Sequence, residues 1–160
     1  MNWRVLYVRP RCEKKMAEYC RIHKVSHYLP LRRETKVYQR RKVTVDKPVF
    51  PGYFFASYDR EGRLALLKTN SIVRILEPRS QRQFLHELAQ IRKALTIDPT
   101  LGTCASLKKG RRVRITAGPF MGVEGVIGSV KGNTKVRLNV DMIGRAVAVD
   151  VAPEYLEPID

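Results

Sequence analysis

The feature that most constrains the fold is an aromatic, β-favouring run at residues 49–58, V-F-P-G-Y-F-F-A-S-Y. Pro51 cannot donate a hydrogen bond to a neighbouring strand and Gly52 has little strand preference, so a strand is predicted to begin at Tyr53. Side chains alternate between the two faces of a strand, and here both faces are largely apolar and should be covered. We predict the central strand of a first domain, with helices on one face. The other face, continued by Phe50 and Pro51, is either ordinary core or a docking surface.

The composition predicts a folded, strongly basic protein. The 160 residues are 44% hydrophobic, which is enough for one medium domain or two small ones. The chain has 31 Lys and Arg against 15 Asp and Glu, a formal net charge of +16, and most of the excess lies in the first hundred residues. Such a charge predicts a polyanionic partner, either nucleic acid or an acidic protein surface.

The sequence also bears on location and redox state. No apolar signal region precedes Trp3 and no apolar span has membrane-crossing length, so we expect a cytoplasmic protein without membrane contact. The three cysteines are an odd number without paired spacing. They fit a reducing compartment and argue against a disulfide framework.

Residues 1–95 are predicted to form an α+β domain. The predicted elements are a strand at 3–8, a helix around Met16, Tyr19 and Cys20, strands at 26–31 and 53–58, a helix at 60–68, a strand at 72–76 and a helix at 80–94. Ser80 and Gln83 form a capping box for the last helix. The apolar stripe of that helix is Phe84, Leu85, Leu88, Ile91 and Leu95. The basic segment 35–47 is either an exposed hairpin or a solvated loop.

Beyond residue 95 the pattern changes. Residues 96–109 have no periodicity and are predicted to be a linker. Residues 110–160 are predicted to be a small antiparallel β-barrel. Its predicted strands are 112–116, 123–129, 134–140, 145–151 and 155–157. Many β-branched residues and scattered glycines favour a permanent barrel over helices here. The loop after the first strand has Phe120 as an apolar tip.

The sequence shows no catalytic or metal-binding arrangement that we consider convincing. Cys20, His23 and His27 have spacings that suit zinc, and Cys12 is near in sequence, but there is no paired Cys-x-x-Cys. The apolar positions of the predicted helix already explain Cys20. No nucleophile, base and acid combination or phosphate-binding glycine loop is present. We expect no metal, no cofactor and no enzymatic activity.

Five segments together resemble one known family. They are residues 3–7, an opening strand; 50–53, F-P-G-Y; 70–76, a further strand; 113–126, with G-P-F in its loop; and 144–146, G-R-A in a late strand. In this order they resemble the NusG family of transcription elongation factors, including specialised paralogs such as RfaH and LoaP, and residues 113–126 resemble its KOW motif. The resemblance covers nearly the whole chain. It implies an α+β N-terminal domain followed by a KOW barrel.

The resemblance implies a transcription elongation or antitermination factor. Its N-terminal domain would bind the clamp helices of the largest RNA polymerase subunit, and its KOW domain would recruit a partner, either Rho or a small-subunit ribosomal protein. The implied polymerase contacts are Tyr7, Phe50, Pro51, Tyr53 and Ile72. The polar motif that RfaH uses for a second polymerase contact has no counterpart in residues 62–65. We expect a monomer.

The resemblance also implies a nucleic-acid contact, because some paralogs read the non-template DNA strand with basic residues beside the first helix. The implied positions, to which we add one from the basic segment, are Arg9, Arg11, Lys14, Lys15 and Arg41. Their partner would be non-template DNA or nascent RNA.

The KOW partner is implied to bind Phe120, Met121 and Val123. At Val123 the family has an aromatic residue, so the smaller valine predicts a weaker contact. The alternative function is a ribosome-associated or free RNA-binding KOW protein. It would leave the aromatic run around Phe50 without a role unless bases stack on it.

Overall fold

The computed structural model describes residues 2–128 and 134–159. In chain order its elements are β1 (Trp3–Val8), α1 (Glu13–Ile22), β2 (Ser26–Tyr28), β3 (Leu31–Tyr38), β4 (Arg41–Pro48), β5 (Tyr53–Ser57), α2 (Arg60–Leu67), β6 (Ile72–Leu76), α3 (Gln81–Ile97), β7 (Thr103–Ala105), β8 (Arg111–Ile115), β9 (Glu124–Ile127), β10 (Thr134–Val140), β11 (Arg145–Val151) and β12 (Leu156–Pro158), with short 3-10 helices at Asp141–Ile143 and Pro153–Tyr155. They divide into two compact units. The first comprises residues 1–30 and 48–85, and the second 31–47 and 86–160.

The first unit is built on a four-stranded antiparallel sheet in the order β2-β5-β1-β6. The central strand β5 begins at Tyr53, as predicted, and lies inside the sheet between β2 and β1. β1 and β6 also match their predicted bounds. The strand predicted at 26–31 is wrong in its second half, because β2 ends at Tyr28 and Leu31 begins β3. Pro30 lies between them and has no N–H to continue the ladder.

Both faces of the central sheet are covered, as predicted. On one face α1 and α2 pack on a buried cluster of Leu6, Val8, Met16, Cys20, Phe54, Ala56, Tyr58 and Leu66. On the other face the Phe55 ring meets Phe50 at 6.5 Å and Phe84 of α3 at 5.7 Å, both edge to face. Such aromatic contacts are stabilising beyond the area they bury.

Helix α3 starts as the sequence predicts and ends later. Ser80 caps its first turn, because Ser80 Oγ accepts a hydrogen bond from the Gln83 N–H at 3.1 Å. The helix extends to Ile97, three residues past the predicted end. The predicted apolar stripe is wrong at Leu85, which is 42% exposed, whereas Phe84, Leu88, Ile91 and Leu95 are buried.

The second unit contains the basic hairpin and an all-β region. β3 and β4 form a two-stranded sheet, which confirms the hairpin interpretation of the basic segment. The all-β region is a six-stranded antiparallel sheet in the order β12-β8-β9-β10-β11-β7. β10 and β11 match their predicted bounds. β7 lies in the predicted linker and was not expected; Ser129, in the predicted strand 123–129, lies outside the described residues.

The apolar side chains of the six-stranded sheet form a second core. Its buried members include Val113, Ile115, Val136, Leu138 and Val147. The segment is therefore β-structured, as its β-branched residues predict. None of the described helices is long and apolar enough to cross a membrane.

Candidate binding surfaces

Phe50, Pro51, Gly52 and Tyr53 form a tight turn at the start of β5. The Tyr53 N–H donates to the Phe50 carbonyl oxygen at 3.0 Å, which closes the turn. Pro51 occupies the second position, and Gly52 the third with a φ of +89°. Proline followed by a residue with positive φ defines a type II turn. The F-P-G-Y sequence is thus explained by backbone conformation.

Two hydrogen bonds and the neighbouring Tyr7 ring restrict the backbone of Gly52. Its N–H donates to Glu13 Oε2 of α1 at 3.0 Å, and its carbonyl oxygen accepts from the Val8 N–H at 2.8 Å. A Cβ atom at this position would lie 3.0 Å from Cε2 of Tyr7. Glycine is required here both by its φ and by the closeness of the Tyr7 ring.

Glu13 is a positioning residue that sequence reasoning missed. Its side chain is 5% exposed, although a glutamate in the first turn of a helix is usually solvated. The hydrogen bond from Gly52 gives the buried carboxylate a partner and ties the turn to α1. Nothing in the local sequence distinguishes this glutamate from one that only favours the helix N-terminus.

Tyr7 and Tyr53 form an exposed aromatic pair beside this turn. They are cross-strand partners on β1 and β5, and their ring centroids are 5.3 Å apart with an interplanar angle of 57°. Tyr7 is 40% exposed, Tyr53 is half-buried and Pro51 is exposed. We call Tyr7, Pro51 and Tyr53 the aromatic face. Both strands are internal to the sheet, so the pair is held rigidly.

Phe50 and Ile72, the other two predicted polymerase contacts, lie elsewhere. Phe50 is 2% exposed, and its ring packs in the core against Phe55. Ile72 pairs with Val8 and packs against the core cluster under α1 and α2. Neither side chain joins the aromatic face.

Four of the predicted nucleic-acid contacts lie together at the start of α1. Arg9, Arg11, Lys14 and Lys15 are all exposed, and no ion pair within residues 2–128 and 134–159 involves them. The Cys12 N–H donates to the Arg9 carbonyl oxygen at 3.1 Å, closing a turn in which Arg11 has a φ of 65°. The fifth residue, Arg41, belongs to the second unit, on β4 beside the hairpin turn.

The loop between β8 and β9 holds the three predicted KOW contacts. Met121 is 68% exposed and Phe120 is half-buried. Val123 is 1% exposed, because a turn closed by Val123 N–H donating to the Phe120 carbonyl directs it into the core. Gly122 occupies the third position of that turn with a φ of 91°. Of these three side chains, Phe120 and Met121 are accessible and Val123 is not.

Two family profiles match this sequence, one over its N-terminal part and one over its C-terminal part. The profile described as Transcription termination factor nusG matches residues 1–94, and the profile described as KOW motif matches residues 109–141. The first match spans more than half of the chain. This protein belongs to the NusG family.

One of two solved structures compared with this NusG-family chain supports its fold. A structure titled "Domain interaction in Thermotoga maritima NusG" matches with a TM-score of 0.51 and 20% identity, over 99% of this chain and 97% of that one. "Crystal Structure of MjSpt4:Spt5 complex conformation B" matches with a TM-score of 0.31 and 16% identity, over 99% and 97% of the two chains. A comparison with curated protein sequences gives no match.

The cysteine and histidines considered for zinc have other surroundings in this NusG-family protein. Cys20 is in the core of the first unit, and burial raises the pKa of its thiol to about 11. His27 donates through Nδ1 to the Val25 carbonyl oxygen at 2.9 Å and stacks on Phe54. The His23 ring lies 4.1 Å from that of Tyr19. Among the described residues, no three potential ligands come together as a metal site.

Proposed function

We propose that this protein is a transcription elongation or antitermination factor that binds RNA polymerase through the aromatic face. The observation that carries the proposal is the exposed pair of Tyr7 and Tyr53, fixed beside the F-P-G-Y turn in a chain of the NusG family. In the family this domain binds the clamp helices of the largest polymerase subunit. We assign the same partner here.

The physical properties of the aromatic face support such a partner. Tyrosines bury a large area on binding and lose little conformational entropy, because each has only two side-chain torsions. The hydrogen bonds of Gly52 hold the turn in place, so the turn loses little conformational entropy when a partner binds. A rigid, partly apolar surface of this kind suits an apolar helical surface.

The experiment is capture of partners from a bacterial lysate with the full chain, followed by binding to purified core polymerase. We expect the polymerase subunits to be recovered, and a fragment containing the clamp helices to compete with them. Capture of ribosomal RNA and ribosomal proteins without polymerase would refute the proposal. It would instead support the alternative of an RNA-binding KOW protein.

We propose that the basic cluster of Arg9, Arg11, Lys14 and Lys15 contacts nucleic acid in the polymerase complex. Lys14 and Lys15 lie in the first turn of α1, where the helix dipole disfavours cations by a few tenths of a kcal/mol each. Their position therefore does not stabilise the helix. We therefore expect these charges to bind the phosphates of an external polyanion, such as the non-template DNA strand.

Replacing these four residues by glutamine is expected to weaken the salt dependence of DNA binding. Each lost phosphate contact lowers the slope of log affinity against log salt by about 0.7–0.9, so the total change is about 3. The measurement is the affinity of polymerase-bound protein for a DNA bubble at several salt concentrations.

The matched control replaces four other exposed basic residues of the first unit by glutamine, and so removes the same charge elsewhere. These residues are Arg60, Arg63, Lys68 and Arg79. The control is expected to leave the slope nearly unchanged. Equal changes in both quadruple variants would mean that only the net charge of the protein matters, and would contradict a localised contact.

We also propose that the KOW domain recruits a second protein, Rho or a small-subunit ribosomal protein, through Phe120 and Met121. The exposed Met121 supports this role, since flexible methionines suit adaptable contacts. The buried Val123 contributes no contact area, so we expect weak binding. In the capture experiment, the Met121→Ala protein should no longer recover this second partner but should still recover polymerase. Recovery of both partners by this variant would refute the assignment.

A further inference from the structure

The outer part of the β3–β4 hairpin is exposed and carries only positive charge. Residues 35–44 are all exposed. They include Lys36, Arg40, Arg41 and Lys42, and no aspartate or glutamate. The same segment presents a large aromatic side chain, Tyr38, which is 67% exposed.

The acidic residues of the hairpin lie nearer its base and are paired there. Lys47 Nζ lies 3.0 Å from Glu34 Oε2, and Arg33 Nε lies 3.7 Å from Asp46 Oδ1. The neighbouring Lys47 amine lowers the pKa of Lys36 below its usual range. Crowding of like charges on the hairpin would be relieved by a bound anion.

The two-residue turn decides which side chains share a face. β3 ends at Tyr38 and β4 begins at Arg41, so these two residues are opposite each other. The 3.4 Å contact between the hydroxyls of Thr35 and Thr44 fits the same pairing. Because side chains alternate along each strand, Tyr38 and Arg41 share their face with Lys36 and Val43. The opposite face carries Val37 and Lys42.

The turn itself is strained. Gln39 and Arg40 have φ values of 47° and 65°, in the left-handed region that favours glycine and asparagine. Two consecutive positions of this kind without glycine cost about 1–3 kcal/mol each and are common at functional sites. This two-residue turn places Tyr38 beside Arg41 on the paired strands.

We propose that the face carrying Lys36, Tyr38 and Arg41 binds single-stranded RNA. One unpaired base stacks on the Tyr38 ring, while Arg41 and Lys36 contact the phosphates on either side of it. Aromatic side chains flanked by cations are the usual elements of single-strand binding, because every base has a π face and every nucleotide a phosphate. A duplex keeps its bases stacked on one another, whereas RNA loops and ends offer them freely. This inference extends the nucleic-acid contact of Arg41 and does not rest on polymerase binding.

The test is fluorescence anisotropy with free full-length protein and an unstructured RNA of about 12 nucleotides, roughly one single-strand binding site. Tyr38→Ala is expected to weaken binding by about 5- to 100-fold, the usual loss of one base–aromatic stack. Tyr38→Phe keeps the ring and should bind like the natural protein. In Tyr38→Trp, the new indole should be quenched by RNA, while Trp3, the single tryptophan of the natural chain, gives the background.

The two faces of the hairpin supply a matched control. Arg41→Gln and Lys42→Gln each remove one exposed charge next to the turn, but only Arg41 shares the face of Tyr38. Arg41→Gln is expected to weaken RNA binding several-fold more than Lys42→Gln. Equal losses in the two variants, or full affinity in Tyr38→Ala, would overturn the proposal. Equal or tighter binding of single-stranded DNA or of duplex RNA would overturn the choice of single-stranded RNA.

Discussion

Replacing Phe50 by alanine is expected to lower the free energy of unfolding of the first unit by about 3–5 kcal/mol, the usual cost of deleting a buried phenylalanine ring. Phe50 is 2% exposed and packs edge to face on Phe55, which is fully buried. An exposed contact residue would behave differently, since surface substitutions change stability by about 0.5 kcal/mol or less. The measurement is urea unfolding followed by the fluorescence of Trp3, the single tryptophan, which lies on β1 of the same unit.

A second variant separates burial from binding. Phe50→Leu keeps much of the apolar volume and should cost clearly less than alanine. Because the ring is not exposed, the folded Phe50→Leu protein is expected to bind polymerase almost as tightly as the natural protein. A loss of less than about 1 kcal/mol in Phe50→Ala would contradict the buried position. Weak polymerase binding by a stable Phe50→Leu protein would mean that Phe50 belongs to the polymerase contact.

The strands of the fold follow from sequence where apolar or β-branched runs end at backbone signals. β5 begins at Tyr53 because proline and glycine immediately precede it, and β1 ends at Val8 shortly before Pro10. The three residues of β7 carry no such signal. They are a strand because Thr103, Cys104 and Ala105 pair with residues of β11 that lie forty or more positions away, and this pairing is invisible in the local sequence.

The candidate site was only partly predictable for a similar reason. Pro51 and Gly52 reveal the turn, since their backbone preferences are intrinsic. Which neighbouring aromatic is buried depends on how the turn enters the sheet, and strand alternation does not extend through a turn. In the structure Phe50 is buried and Tyr7 is partly exposed, and the local sequence does not distinguish these outcomes. Val123 shows the same effect in the KOW loop, where the turn through Gly122 directs it inward.

The buried Glu13 links the two kinds of surface on the first unit. It lies in the first turn of α1, next to the exposed Lys14 and Lys15, and it holds the N–H of Gly52 in the turn beside Tyr7. The first turn of this short helix therefore carries Lys14 and Lys15 of the basic cluster and also fixes the turn beside the aromatic face. The two proposed contacts, one apolar and one cationic, would therefore be held at defined positions relative to each other.

Tyr53→Ala is expected to have the largest effect on polymerase binding. Truncating a buried aromatic anchor at an interface typically costs about 2–4 kcal/mol, or at least thirtyfold in affinity. Tyr53 is the more enclosed member of the aromatic face, since it is half-buried on an internal strand and packs against Tyr7. The measurement is the dissociation constant for purified core polymerase, with Trp3 fluorescence confirming that the first unit is folded.

The controls use the other tyrosines of the chain. Tyr155 is 41% exposed, nearly the same as Tyr7 at 40%, but it lies in the C-terminal β region, so Tyr155→Ala should keep full affinity. Tyr53→Phe should also bind well, because the ring remains. The rings of Tyr7 and Tyr53 are in contact, so the loss in the double alanine variant should be smaller than the sum of the two single losses. Natural affinity in a folded Tyr53→Ala protein would exclude the aromatic face as the polymerase contact.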